Sequence, residues 1–200
     1  MKSTKWSALV LIFVIVLGSC TKNNPNSTTN NPTDTTACSS SFGFLRNGDS
    51  LVYTIDLLGN VSTNTVTYAS TSQSGTFKQK LTDPTDANLN GAVLYLKGCN
   101  GWLTQSYTST VSDTSYYIKE NRVVGDTWQW YDPTYEDTNV YTVAQTDTSV
   151  TVTAGTFVCD KILYYQVGTI NTDTLWWNNT YGTIKYSGVL ISQELIGKNY

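Results

Sequence analysis

Three glutamates, Glu120, Glu136 and Glu194, are the groups on which acid–base chemistry could rest, because the 200-residue chain contains no histidine. Two of them held about 5–10 Å apart would serve a glycosidase. Ser-His-Asp, Cys-His and His-ligated zinc chemistry are excluded by composition alone. Nothing in the spacing of the glutamates brings two together, so the expectation is a protein that is not an enzyme, with a carboxylate-pair glycosidase as an alternative. Asp86-x-Asn88-x-Asn90-Gly91 sets oxygen ligands and a glycine as the first half of a calcium loop does. Lys97, however, stands where that loop needs a bidentate carboxylate. An Asx-rich turn accounts for the same residues, and equally for the acidic stretch at Asp132, Glu136 and Asp137. No metal and no cofactor is expected.

The aromatic residues offer binding rather than turnover. On a strand, Trp128 and Trp130 share one face with Gln129 opposite, whereas Trp176 and Trp177 point to opposite faces. An exposed tryptophan face could stack on a sugar or line an apolar groove; a core aromatic cluster explains the same spacing. The expected function is a non-catalytic binding module for an apolar or saccharide ligand. A structural or assembly subunit of an envelope complex, docking through a sheet edge or apolar patch, is the alternative. With 12 Lys and Arg against 15 Asp and Glu, there is no basic footprint for nucleic acid.

The four cysteines divide by position. Lys2 and Lys5 precede an uncharged apolar run from Ser7 to Leu17, too short to span a bilayer, and Leu17-Gly18-Ser19-Cys20 follows. This looks like the lipobox of bacterial lipoproteins, in which the cysteine thiol receives a diacylglycerol and becomes the first mature residue; ordinary secretory cleavage after a small residue, or a short membrane anchor, is the other reading. Residues 1–19 are then a signal peptide, 20–37 a lipidated cysteine with a polar tether, and 38–200 a single domain. Acyl chains on Cys20 would hold the protein to a membrane without a second signal. The expected address is the cell envelope, at the outer membrane of a Gram-negative bacterium, on its periplasmic side. The tether has no large apolar side chain to bury. Asp34-Thr35-Thr36 within it, like Asp49-Ser50-Leu51 and Asp173-Thr174-Leu175, resembles a short O-glycosylation sequence, or simply supplies Asx turns. Among Cys38, Cys99 and Cys159 chain entropy does not choose, the possible loops giving ~4.3 to ~4.9 kcal/mol. Cys99–Cys159 is favoured because both lie in or beside strand-like runs.

Those runs must position everything else. β-Branched and aromatic segments recur between turn residues, including 51–57, 61–68, 76–81, 138–144, 149–153, 157–167 and 189–196, and no amphipathic helix can be drawn between them. Without helical crossovers the strands are mostly antiparallel. The fold class expected is all-β, a strongly curved sheet or a β-sandwich.

Val152-Thr153-Ala154-Gly155-Thr156-Phe157-Val158-Cys159-Asp160-Lys161-Ile162 is similar to a stretch of uncharacterised exported bacterial lipoproteins, the TapB-like and related domain-of-unknown-function families. Val124-Gly125-Asp126-Thr127-Trp128, Trp176-Trp177 with Tyr181-Gly182-Thr183-Ile184-Lys185, and Glu194-Leu195 agree in order. The resemblance implies a curved antiparallel sheet, somewhat like the periplasmic lipoprotein carriers, and no established activity. It departs at Tyr181-Gly182-Thr183, which keeps one glycine where relatives often have two.

Overall fold

A computed structural model describes residues 42–72, 75–84, 90–99, 101–106, 115–132 and 137–199. Twelve strands follow one another: β1 (Ser50–Leu57), β2 (Asn60–Ser70), β3 (Thr76–Thr82), β4 (Val93–Cys99), β5 (Trp102–Ser106), β6 (Ser115–Lys119), β7 (Thr127–Asp132), β8 (Asp137–Val152), β9 (Gly155–Gln166), β10 (Asp173–Asn178), β11 (Gly182–Ser187) and β12 (Ile191–Asn199). Period-two burial explains them. Leu51 and Tyr53 in β1, Val66 and Tyr68 in β2, Leu94 and Leu96 in β4, and Ile184 and Tyr186 in β11 are buried, while their neighbours face outward.

All ladders are antiparallel, and the strands form one continuous sheet in the order β6-β5-β4-β3-β2-β1-β12-β11-β10-β9-β8-β7. Two meanders, β1–β6 and β7–β12, are thus zipped together where β1 pairs with β12. Of the two architectures expected, the curved sheet is the one formed. Because twist accumulates across so many strands, the sheet rolls until its edges, β6 and β7, approach. Side chains complete the closure: the Trp128 indole N–H donates to the Tyr117 carbonyl at 3.2 Å, and Trp102 meets Trp128 edge-on at 6.0 Å.

The runs at 138–144 and 149–153 belong to a single strand, β8. Register shifts between Val143 and Thr148, with Asp147 at φ 54°, bend it there. Beyond the bend the β8–β9 hairpin folds across toward β12, where the Ala154 N–H donates to the Leu195 carbonyl at 3.2 Å. Glu194 secures it, its Oε1 accepting from the Thr153 N–H at 2.8 Å and the Thr153 hydroxyl at 2.9 Å. Val150, Val152 and Phe157 thereby join the core.

Arg122, in the link between β6 and β7, has a side chain only 1% exposed. Its guanidinium donates to Asp160 Oδ2 at 2.6 and 2.9 Å, to Asn179 Oδ1 at 2.8 Å and to the Lys119 carbonyl. The link is therefore fastened to β9 and to the β10–β11 turn. Lys119 Nζ bonds Asp126 Oδ2 at 2.7 Å, and this bond holds the Asp126 carboxyl below its ordinary pKa.

The disulfide expected between Cys99 and Cys159 is corrected. Cys159 is a free, buried thiol, and Cys99 is bonded to a cysteine outside the described residues. The physical reason is distance across the sheet: β4 and β9 are separated by six intervening strands, far beyond the ~4.4–6.8 Å between Cα atoms that a disulfide allows. Burial, helped by the neighbouring Asp160 charge, pushes the Cys159 thiol up to about 12.

Candidate functional site

The inward faces of β1 to β6 do not fill the roll completely. A cavity of about 110 Å³ remains, walled by Ile55, Val66, Leu81, Leu94, Leu96 and Leu103. Phe44, Tyr68 and Trp177 lie together at one end of it, with Phe44 edge-on to Tyr68 at 5.6 Å and to Trp177 at 5.5 Å. Phe44 belongs to a short segment, Phe42–Leu45, that precedes β1 and inserts into the core. Gly43 makes the insertion possible: its N–H donates to the Asn179 carbonyl at 2.7 Å, and a Cβ there would stand 3.2 Å from Thr180 Cα. Gly182 opens β11 at φ 77° directly beside the Phe44 ring, so the one glycine kept in Tyr181-Gly182-Thr183 occupies the position that needs it.

Neutral amides interrupt the apolar wall. Asn64, Gln79, Gln105 and Gln193 all line the cavity, and among the described residues no Asp, Glu, Lys or Arg does. Asn64 is 1% exposed and Gln105 2%, and neither Asn64 Oδ1 nor Gln105 Nε2 has a hydrogen-bond partner. Tyr53 spends its hydroxyl on the Thr183 carbonyl at 3.1 Å. Burial pushes the Tyr117 phenol up to about 12, so it lines the cavity as a neutral group. Such a chamber can hold an uncharged body and present it with hydrogen bonds; it holds no acid–base pair.

These amides escape a search for catalytic residue types, yet their signal is present. Asn64 is in phase with Val66 and Tyr68, Gln79 with Phe77 and Leu81, Gln105 with Leu103, and Gln193 with Ile191 and Leu195. An amide recurring in the apolar phase of four strands marks a wall that must meet something polar inside.

The four tryptophans fall in three places. Trp128 and Trp130 are buried on one face, as their spacing requires, Trp128 stacking on Tyr141 at 5.4 Å. Trp177 is buried at the end of the cavity. Trp176, on the opposite face of β10, is half-buried, with Lys185 Nζ 5.8 Å from its ring centre. They do not assemble into one stacking platform. Glu194 is committed to the hairpin contact, and Glu120 lies in the β6–β7 link. Cys20, Cys38, Glu136, Asp86, Asn88 and Asp34 lie outside the described residues. Asn90 and Gly91 form the turn entering β4, and Lys97 pairs with Thr76 in the β3–β4 ladder. Of the two other O-glycosylation matches, Asp49 is buried, and Asp173 accepts the buried Tyr186 hydroxyl.

No family model matches the chain, and no curated relative does. Among solved structures it is similar to a candidate lipoprotein from Parabacteroides distasonis, with 15% identity over 81% of this chain and 99% of that one and a TM-score of 0.46. It is also similar to MucB in the Pseudomonas aeruginosa MucA/MucB complex, with 13% identity, 80% of this chain, 53% of that one and a TM-score of 0.40. Likenesses this distant carry no functional argument.

Proposed function

We propose that the chain is a lipid-anchored cell-envelope protein that binds an apolar ligand without chemical turnover, in the cavity between β1–β6 and the Phe44–Trp177 end. The observation that supports this most is the chamber itself: apolar walls, with no charged group in its lining among the described residues. The saccharide reading keeps only Trp176, half-buried beside Lys185, as its aromatic surface. Anchorage rests on Leu17-Gly18-Ser19-Cys20, with the outer membrane and its periplasmic side as the proposed address. With Cys20 taken by lipid and Cys159 buried as a thiol, Cys38 is the partner left for Cys99.

The test is a titration with xenon, an apolar atom small enough for a chamber of about 110 Å³, followed through the methyl resonances of the wall. Saturable shifts, lost when Leu96→Trp fills the chamber, support the reading; shifts that never saturate, or none, overturn it. Cys20→Ala should move the protein from the membrane fraction to the soluble one. A second reading, an assembly subunit, draws on Leu58, Val61, Val167, Ile170 and Val189, exposed aliphatic side chains gathered at one end of the sheet. Crosslinking from Ile170 to an envelope protein, lost when these residues are made polar, would favour it.

A further inference from the structure

The outward face of β3 and β4 carries an unbalanced charge. Lys78 and Lys80 are exposed at alternate positions of β3, about 7 Å apart along the strand. On β4, Tyr95 stands directly opposite Lys78, and Lys97, opposite Thr76, is diagonal to Lys78 on the same face. All four side chains belong to the phase that alternates with the inward Leu81, Leu94 and Leu96. At the described positions the flanking strands add no counter-charge: β2 sets Ala69 and Thr67 opposite Lys78 and Lys80, and β5 sets Ser106 and Thr104 opposite Tyr95 and Lys97. Asp83, beyond the end of β3, is buried. Lys119 and Arg122 are held by Asp126 and Asp160, whereas none of these three lysines enters an ion pair among the described residues. In a chain with more acids than bases, three unpaired cations on one face repel one another, and an anionic surface relieves that repulsion.

The same face holds the point where the domain is tied to its tether. Cys99 lies two residues beyond Lys97, in the same phase, and is bonded to a cysteine outside the described residues. With Cys38 as that partner, 18 residues lead from Cys20 to the end of β4. As a coil they span about 21–25 Å, which keeps this face near the anchor and lets it lie flat.

We propose that the domain lays its β3–β4 face against the membrane that holds its anchor, Lys78, Lys80 and Lys97 meeting anionic phospholipid headgroups and Tyr95 the interfacial layer between them. The proposal rests on the lipid anchorage read from Cys20; the acyl chains supply the hold and the lysines the orientation. Residues 20–200 with Cys20→Ser, which retain every described residue, read the face without acyl chains. They are sedimented with vesicles of phosphatidylglycerol and phosphatidylcholine mixed equally, and with vesicles of phosphatidylcholine alone. The expected result is binding to the anionic vesicles only, lost in molar salt and weakened about fivefold by each of Lys78→Gln, Lys80→Gln and Lys97→Gln. Lys161→Gln, on β9 with five strands between, should change nothing. Equal losses from all four variants, or binding to neither vesicle, overturn the proposal. The native protein reconstituted in the same anionic vesicles should protect Lys78, Lys80 and Lys97, but not Lys161, from an impermeant amine-labelling reagent. Labelling of all four alike overturns the orientation with the anchorage intact. A native protein absent from the membrane fraction, while the Cys20→Ser chain binds as expected, overturns the anchorage and leaves the lysine face standing.

Discussion

The two meanders of the sheet are built alike and filled differently. On the β7–β12 side the inward positions carry rings: Trp128 stacks on Tyr141, Tyr141 meets Tyr164 at 5.0 Å, and Trp177 joins them through Tyr117 at 5.8 Å. On the β1–β6 side leucine, valine and amides stand between the rings of Tyr53, Tyr68 and Tyr117, and a chamber is left. Aromatic rings fill wide space at little entropic cost, whereas aliphatic chains interrupted by amides leave gaps they cannot close. Curvature alone therefore does not make a binding site; the choice of residues in the inward phase does.

The largest effect should come from Trp177→Ala, which removes the ring shared by both sides. A loss of about 3–5 kcal/mol is expected in urea unfolding. If the two sides share one core, the transition stays single, and a biphasic curve would break the comparison by showing two independent units. Arg122→Met should cost about 3 kcal/mol, because it strands Asp160 and Asn179 at the closure of the roll. It should leave affinity in the chamber unchanged, as the xenon titration would show.

Alkaline pH comes next. Cys159 is raised from 9.0 to about 12 and Tyr117 from 10.0 to about 12, both chiefly by burial. The native state keeps these protons while the unfolded chain releases them. Their stabilising contribution is therefore complete below pH 9.0 and is lost as pH rises toward about 12. Melting temperature should fall across that window, with the phenolate contribution of Tyr117, isolated as the difference from Tyr117→Phe, appearing only as the protein unfolds and Cys159 unreactive to thiol reagents until then.

The smallest changes are expected at two buried amides. Asn64 Nδ2 donates to Ser62 Oγ at 3.3 Å while its Oδ1 is unpaired, and Asn139 Oδ1 accepts the Tyr164 hydroxyl at 2.9 Å while its Nδ2 is unpaired. Leucine at either place deletes one hydrogen bond and one orphaned atom, so each should shift stability by no more than about 1 kcal/mol. A loss of several kcal/mol at one side alone, read by thermal denaturation, would sharpen the difference between the two meanders.

Much of this fold was legible in the sequence. Alternation in Val150-Thr151-Val152, the turns at Leu58-Gly59 and the lack of helical periodicity lead to an antiparallel sheet, and its curvature follows from twist. Less visible was that β8 continues through Asp147, because a bulge and a strand break look alike without the partner strand. The cysteine pairing was hidden for a related reason: local strand character says nothing about the six strands between β4 and β9. The chamber was legible only in part. Tryptophan draws attention by its size, yet burial claimed most of the indoles, while the informative residues were ordinary amides placed in an apolar phase.

The bridge at Cys99 has a mechanical consequence. With Cys38 as its partner, load drawn from the anchor enters the sheet covalently at the end of β4, so Phe42–Leu45 and β1 to β3 lie inside a closed loop that carries none of it. The Phe44 plug, held by the Gly43 N–H to Asn179, and the chamber it seals are then shielded from strain on the tether. In single-molecule pulling through the two chain ends, a small low-force extension from release of Phe44 should appear only once the disulfide is reduced.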